Sequence, residues 1–209
     1  VLDPIELVDK YGADAIRYYL FAANSFDQDG DFSRADFIST ANSHLANNLG
    51  NLLNRTLTLV DKNCAGKVPD AIPDAEAMKV AENGQRSYVE FMEQLEFTKA
   101  IEAALSLLNE GNRYLNDQKP WTLFKEGKKA EGEAVLLTSL ELVKRATVLL
   151  CPVTPGLSAK IWHQLGFDEP IEKVVLTDSV VSKVIPAGQL LRNQGPVFLR
   201  IEDVTAVPA

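Results

Sequence analysis

Residues 45–55 read LANNLGNLLNR, and this stretch decides how the surrounding chain folds. Its leucines at positions 45, 49, 52 and 53 recur at the spacing of one helix face. It also holds four asparagines and a glycine, which are less favourable in a helix than alanine by about 0.7 and 1 kcal/mol. The apolar stripe continues on both sides, so the pattern predicts one long helix over residues 34–63, begun by Ser33 and Asp36 and stabilised through its leucines.

Helical signals continue along most of the chain. Asp3 before Pro4, Asp14 and Asp74 are predicted N-caps. Further helices are predicted over residues 74–93, 96–117, 120–127 and 129–150, and after Pro155; positions 136, 140, 143, 147 and 150 should point inward. After residue 166 short apolar runs alternate with turn formers. The predicted fold is therefore all-α, an antiparallel helical bundle with an irregular C-terminal tail packed on it.

Composition and charge narrow the classes of function. A net charge of −8 over 209 residues argues against binding nucleic acid mainly through its phosphates. No apolar run reaches the roughly 18 residues that span a membrane, and the first residues are neither a signal nor a transit peptide. The chain opens in mid-motif without methionine, which we interpret as a piece of a longer protein.

The residues that most often carry chemistry are scattered. Cys64, Cys151, His44 and His163 fit no metal-ligand or disulfide spacing, so we interpret them as reduced, partly buried thiols and as packing or surface histidines. No glycine-rich phosphate loop or nucleophile–histidine arrangement stands out.

One acidic turn resembles a calcium loop in its first half. Asp27, Asp29 and Asp31 alternate, but the twelfth position is Ile38, where such a loop needs glutamate. We therefore interpret the turn as a polar loop, and we predict no catalytic residue and no metal site in this sequence.

A row of polar residues is the first candidate site. Asn47, Asn51 and Arg55 are spaced at i, i+4 and i+8, which aligns them along one helix face. Amide groups and a guanidinium fork can read the edges of nucleobases, and Gly50 leaves room for a flat ligand. The alternative is that these side chains are solvated or cap a neighbouring helix.

A tryptophan at a helix start is the second candidate. Trp121 directly follows Pro120 and is flanked by Lys119 and Lys125, so it could stack on an unpaired base. The alternative is a tryptophan wedged between helices. Trp162 follows an apolar helical pattern and is interpreted as core.

Several motifs in order resemble one family. The opening VLDPIELVDKYGADAIRYYL resembles the segment after the Lys-Met-Ser-Lys-Ser signature of class I aminoacyl-tRNA synthetases. FDQDGDFS, LANNLGNLLNRTLTLV and KPW together resemble the methionyl-tRNA synthetase family, over at least residues 1–167. GPVFLRIE is similar to the segment with which that family returns to its bundle. The resemblance implies a connector that follows the catalytic domain over residues 1–32, an anticodon-binding bundle over 33–166 and a tail over 167–209.

The resemblance also implies roles for the candidate residues. Asn51 and Arg55 would bond base edges of the CAU anticodon, Asn47 would support them, and Trp121 would stack on a splayed base. Gly50, Lys119, Pro120 and Lys125 are possible supporting residues. Asn48 and Asn54 have no matched family role.

The implied partners follow from the family. They are the anticodon loop of tRNA(Met) and the catalytic domain of the same chain, with no membrane and no DNA, in the cytoplasm. ATP and Mg²⁺ would bind upstream of residue 1, so this piece would have no cofactor and be inactive alone. Two alternatives stay open: a helical scaffold for protein partners, and the matching domain of another class I synthetase, for cysteine, leucine, isoleucine or valine.

Overall fold

The computed structural model describes residues 3–23, 32–176 and 183–202, and this part of the chain is mainly helical. Within it the sole strand-like pairing is an isolated bridge between Lys67 and Leu190. The helices are α1 Pro4–Tyr11, α2 Ala13–Ala23, α3 Arg34–Ala41, a π-helical segment Asn42–Gly50, α4 Asn51–Cys64, α5 Ala75–Glu93, α6 Phe97–Gln118, α7 Pro120–Lys125, α8 Lys129–Leu150 and α9 Pro155–Gln164, followed by a 3₁₀ turn Ile171–Lys173. The predicted all-α bundle is confirmed.

Three of the four predicted helix starts are confirmed. Asp3, Ser33 and Asp74 each accept a hydrogen bond from a backbone N–H in the first turn of the helix that follows. The prediction for Asp14 is wrong, because this residue lies inside α2 and its carboxylate accepts from the backbone N–H of Leu157, at the start of α9. Asp14 therefore caps a helix that is distant in sequence, and it joins α2 to the start of α9.

The predicted long helix is continuous but not uniform. Between α3 and α4 the π segment Asn42–Gly50 is wider than an α-helix, and the N–H of Asn51 bonds to the carbonyl of Ala46, five residues back. π-Helical turns are rare and often occur at functional sites. In this segment the buried side chain of Asn42 bonds both ways to the backbone of Ile201, at 2.9 and 2.8 Å. The C-terminal tail therefore docks directly on the π segment.

Helix α8 forms the centre of the bundle, in contact with α4, α5, α6 and α7. The five positions that were predicted to point inward are all buried, at 1% exposure or less. The helix is in fact buried on all sides from Val135 to Leu150. A helix surrounded by others has no polar face. Its buried hydroxyl groups form hydrogen bonds within the helix, because Thr138, Ser139 and Thr147 each donate to the carbonyl four residues back.

Three charged residues of α8 lie inside this core. One carboxylate oxygen of Glu141 lies 2.7 Å from Nζ of Lys144, and the other accepts from the backbone N–H of Ile185 at 2.7 Å. Lys144 also donates to the carbonyl of Lys183, and Nε of Arg145 lies 3.9 Å from Glu141. Burial lowers the pKa of Lys144, and the Glu141 carboxylate opposes that shift. The cluster ties residues 183–185 of the tail to the central helix.

The tail is irregular and packed on the helices, as predicted. The backbone of Val68 pairs with Gly188 and Gln189, and the N–H of Leu191 donates to Gly66 at 2.9 Å. Tyr18 of α2 belongs to the main core cluster together with the bundle helices. The division at residues 32 and 166 stays a prediction.

Both cysteines, His44 and Trp162 are at least partly buried, whereas His163 lies on the surface. Both cysteines are free and partly buried, and burial raises the pKa of each thiol. His44 Nδ1 lies 2.9 Å from the hydroxyl of the buried Tyr18, and burial lowers the pKa of this histidine. Trp162 is buried and donates from Nε1 to the carbonyl of Glu169 at 3.0 Å. These interpretations from the sequence are confirmed.

The close approach of α6 to α4 depends on a glycine. A Cβ at Gly111 would lie 2.6 Å from Cδ2 of Leu52 and 3.6 Å from Leu142. We expect Gly111→Ala to lower the free energy of unfolding by about 1–3 kcal/mol, because overpacking outweighs alanine's better helix propensity. Urea unfolding measures this. The exposed Glu102→Ala on the same helix is the control, and a more stable Gly111→Ala variant would contradict the packing argument.

Candidate nucleic-acid interface

The predicted row lies at the junction of the π segment and α4. Asn47 and Asn51 are exposed and Arg55 is half-buried. The four leucines of the same stretch are buried at 1% exposure or less. The helix therefore divides as expected, with leucines in the core and a polar face outside. Tertiary packing stabilises a segment whose own helix propensity is weak.

Arg55 and Trp121 are brought together. The guanidinium carbon of Arg55 lies 5.8 Å from the centre of the Trp121 ring, within the range of a cation–π contact. Its Nη2 donates to Oδ1 of Asn116 on α6 at 2.8 Å. That partner is a neutral amide, and Arg55 forms no ion pair with an acidic side chain among the described residues, so within this part of the chain its positive charge stays unneutralised. Part of the Trp121 side chain packs against the main core, and the rest is exposed. Trp121 is thus both a packing residue and an accessible aromatic surface.

The turn between α6 and α7 presents this tryptophan. Lys119 adopts a left-handed conformation (φ 47°) that ends α6 and begins α7, and Pro120 is buried at the first position of α7. Lys119 and Lys125, at the two ends of α7, are exposed, and neither forms an ion pair with a described residue. Free positive charge therefore flanks Trp121 on an otherwise acidic protein.

Asn48 serves the fold. Its amide donates to Oδ1 of Asn109 at 2.8 Å, and its Oδ1 accepts from Asn112 at 2.7 Å. These bonds align the π segment with α6. Asn109, Asn112 and Asn116 were missed by the sequence interpretation, although their i, i+3, i+7 spacing is a signal for one face of a helix.

The other side of the row faces the C-terminal tail. Asn47, Asn51 and Asn54 line an open pocket of about 470 Å³, and Pro196 and Phe198 of the tail also line it. The pocket is completed by Ala46 and Gly50. Gly50 is buried, and a Cβ there would lie 3.0 Å from the carbonyl of Leu45 in the same helix. The close π-helical backbone is therefore one reason for glycine at this position.

Metal and membrane sites find no support. In residues 3–23, 32–176 and 183–202 no group of three or more histidine, cysteine, aspartate or glutamate side chains could hold a metal ion. The turn with Asp27, Asp29 and Asp31 lies outside the described residues. No described helix has the length and apolar character needed to cross a membrane.

Two family models match the chain. Residues 1–57 match class I tRNA synthetases of the methionyl type, and residues 68–207 match the anticodon-binding domain of methionyl-tRNA ligase. The alternative assignment to a synthetase for cysteine, leucine, isoleucine or valine is therefore wrong.

Relatives agree with these models. The methionine–tRNA ligase of Synechocystis sp. is 43% identical over 96% of this chain and 40% of its own length. The chloroplastic/mitochondrial methionine–tRNA ligase of Arabidopsis thaliana is 39% identical over 96% of this chain and 34% of its own length.

A solved structure gives the same result. Free methionyl-tRNA synthetase from Mycobacterium tuberculosis superposes with a TM-score of 0.88 at 31% identity, over 97% of this chain and 41% of that one. The chain thus spans between 34% and 41% of the length of these three relatives. From its sequence, its fold and these matches, the chain belongs to the methionyl-tRNA synthetase family and contains that family's anticodon-binding domain.

Proposed function

We propose that this chain recognises the CAU anticodon of tRNA(Met) through Asn47, Asn51, Arg55 and Trp121. The observation that carries the proposal is the unneutralised guanidinium of Arg55 over the Trp121 ring, 5.8 Å from its centre. An aromatic plane and a planar donor fork side by side suit a splayed, single-stranded base. The exposed amides of Asn47 and Asn51 add donors and acceptors for base edges.

The charge distribution supports reading of bases over phosphate binding. The chain has a net charge of −8, so broad contact with the RNA backbone would be repulsive. Arg55, Lys119 and Lys125 supply local positive charge, and Gly50 and Pro120 shape the helix turn and the loop around them. Most of the affinity for tRNA would then come from contacts elsewhere in the whole protein.

The parent protein is proposed to attach methionine to tRNA(Met) in the cytoplasm. ATP and Mg²⁺ would bind in the catalytic domain of the same polypeptide, and α1 and α2 would follow that domain. None of the four candidate residues is given a catalytic role. Their contribution is to select the tRNA on which the catalytic domain acts.

Binding to a short RNA tests the proposal. We expect the chain to bind an anticodon stem-loop with CAU at least about tenfold more tightly than loops altered at one anticodon base, since base contacts are worth about 1–3 kcal/mol each. The affinity should depend weakly on salt, because few phosphates are contacted. Fluorescence anisotropy at two salt concentrations measures both quantities.

The same comparison separates the two remaining functions. Equal affinity for the CAU loop and every altered loop would contradict anticodon reading. If the isolated chain binds too weakly to be measured, the same comparison is made with the full-length protein, by measuring how fast it charges whole tRNA with the CAU or an altered anticodon. A protein that charges CAU and altered tRNA equally would favour the helical scaffold for protein partners.

A further inference from the structure

The polar row borders two different surfaces. Arg55 turns towards α6 and α7, where it contacts Asn116 and Trp121. Asn47 and Asn51 instead line the pocket against the tail, together with Asn54. One face of the helix thus borders two places where a flat group could bind. Arg55 and Trp121 form the first, and the pocket against the tail is the second.

The wall that the tail contributes is well anchored. Upstream, Asn193 donates to Oδ2 of Asp61 on α4 at 2.7 Å, and the carbonyl of Gly195 accepts from Gln164 at 3.1 Å. Downstream, the two hydrogen bonds between Asn42 and Ile201 hold the tail on the π segment. Pro196 and Phe198 lie between these attachments, so their position is set by the fold.

The pocket lining has the chemistry of a base site. None of its seven residues carries a charge, so it does not add to the repulsion between an acidic protein and RNA. Three amide groups offer both donors and acceptors, and Phe198 offers an aromatic ring. The side chain of Asn54 makes no hydrogen bond to another described residue, which leaves its amide available.

We propose that this pocket between the π segment and the tail binds a second unpaired nucleobase, bonded at its edge by Asn54 and stacked on Phe198. The first base would stack on Trp121 beside Arg55, and Asn51, one helix turn before Arg55, lines the second position. This inference rests on the proposed anticodon recognition and adds Asn54, Pro196 and Phe198 to it. Two unpaired bases would then be held next to each other along the same polar face of the helix.

Abasic RNA tests the pocket directly. Four stem-loops are compared, one with CAU and three that each lack one anticodon base. Phe198→Leu keeps apolar volume but removes the ring, so it should weaken binding of the CAU loop about tenfold. In the Phe198→Leu variant, removing the one base that this pocket binds should cause no further loss of affinity. In the Trp121→Ala variant, it is the removal of a different base that should cause no further loss of affinity.

Matched variants protect the test against misfolding. Phe198→Tyr keeps the ring and should bind as the unaltered protein does. Asn54→Ala leaves the tail wall intact and should weaken binding severalfold at the same base as Phe198→Leu. Asn63→Ala, on the last turn of α4, should change nothing. Thermal unfolding of each variant confirms that it is folded.

The outcomes separate the two proposals. In one outcome, removing each base weakens binding of the Phe198→Leu and Asn54→Ala variants as much as it weakens binding of the unaltered protein, whereas the Trp121→Ala variant is insensitive to one of these removals. The second pocket is then wrong and anticodon recognition stands. If the Phe198→Leu and Trp121→Ala variants are both insensitive to removal of the same base, both residues belong to one base site and the second pocket is wrong. If the unaltered protein binds all four loops equally, anticodon recognition itself fails.

Discussion

Replacing Trp121 with alanine is expected to reduce affinity for the CAU stem-loop by about ten- to a hundredfold. A base stacked on an aromatic side chain is worth about 1–3 kcal/mol, and each 1.4 kcal/mol is tenfold in affinity. The change also removes the ring beneath Arg55, whose guanidinium lies 5.8 Å from its centre. Arg55→Ala should act in the same direction, because it removes the donor fork.

The full-length protein gives the sharper measurement. Trp121→Ala and Arg55→Ala should lower kcat/KM for charging of tRNA while activation of methionine, measured without tRNA, stays near normal. Trp121→Phe is the matched control, because it keeps an aromatic face and the contact with the main core. Equal loss of charging and activation would contradict a role in recognition and would indicate a general structural defect.

Glu141→Ala is expected to lower the free energy of unfolding by about 3–5 kcal/mol. Removing one partner of a buried ion pair leaves the other charge without compensation. Here that charge is Lys144, whose side chain is 2% exposed and whose Nζ lies 2.7 Å from the Glu141 carboxylate. The backbone N–H of Ile185 loses its acceptor as well. Equilibrium unfolding in urea at neutral pH measures the effect.

The same helix provides the control. Glu133 on α8 pairs with Lys129 at 3.5 Å, and the lysine is largely exposed. Such pairs contribute about 0–1 kcal/mol, so Glu133→Ala should have little effect. Combining Glu141→Ala with Lys144→Met should recover part of the lost stability, because the buried lysine charge is removed and only Arg145, whose Nε lies 3.9 Å from Glu141, keeps a buried charge. If Glu141→Ala is as mild as Glu133→Ala, the buried pair is unimportant for folding.

Local chemistry accounts for the features that the sequence predicted well. The spacing of leucines in residues 45–55 predicted both the helix and its buried side, and Asp3, Ser33 and Asp74 begin helices as expected. Each of these depends on residues within a few positions of one another. Helix periodicity and capping are local properties, so a single sequence carries them.

Long-range packing accounts for what the sequence could not predict. Asp14 has the form of a local cap but caps α9, because α2 packs beside that helix start. The inward face predicted for α8 understates its burial, since neighbours surround it and enclose Glu141 and Lys144. The spacing of apolar residues within α8 does not show how many other helices pack around it.

The candidate site shows the same division. The sequence by itself determined an all-α bundle and a polar row of Asn47, Asn51 and Arg55 on a leucine-rich helix. Only the tertiary structure decided which group each polar side chain lies against: Arg55 contacts Trp121, and the asparagines line a pocket that Phe198 also lines. The physical reason is that Trp121 and Phe198 lie far along the chain, and it is the packing of the bundle that brings both of them next to this helix.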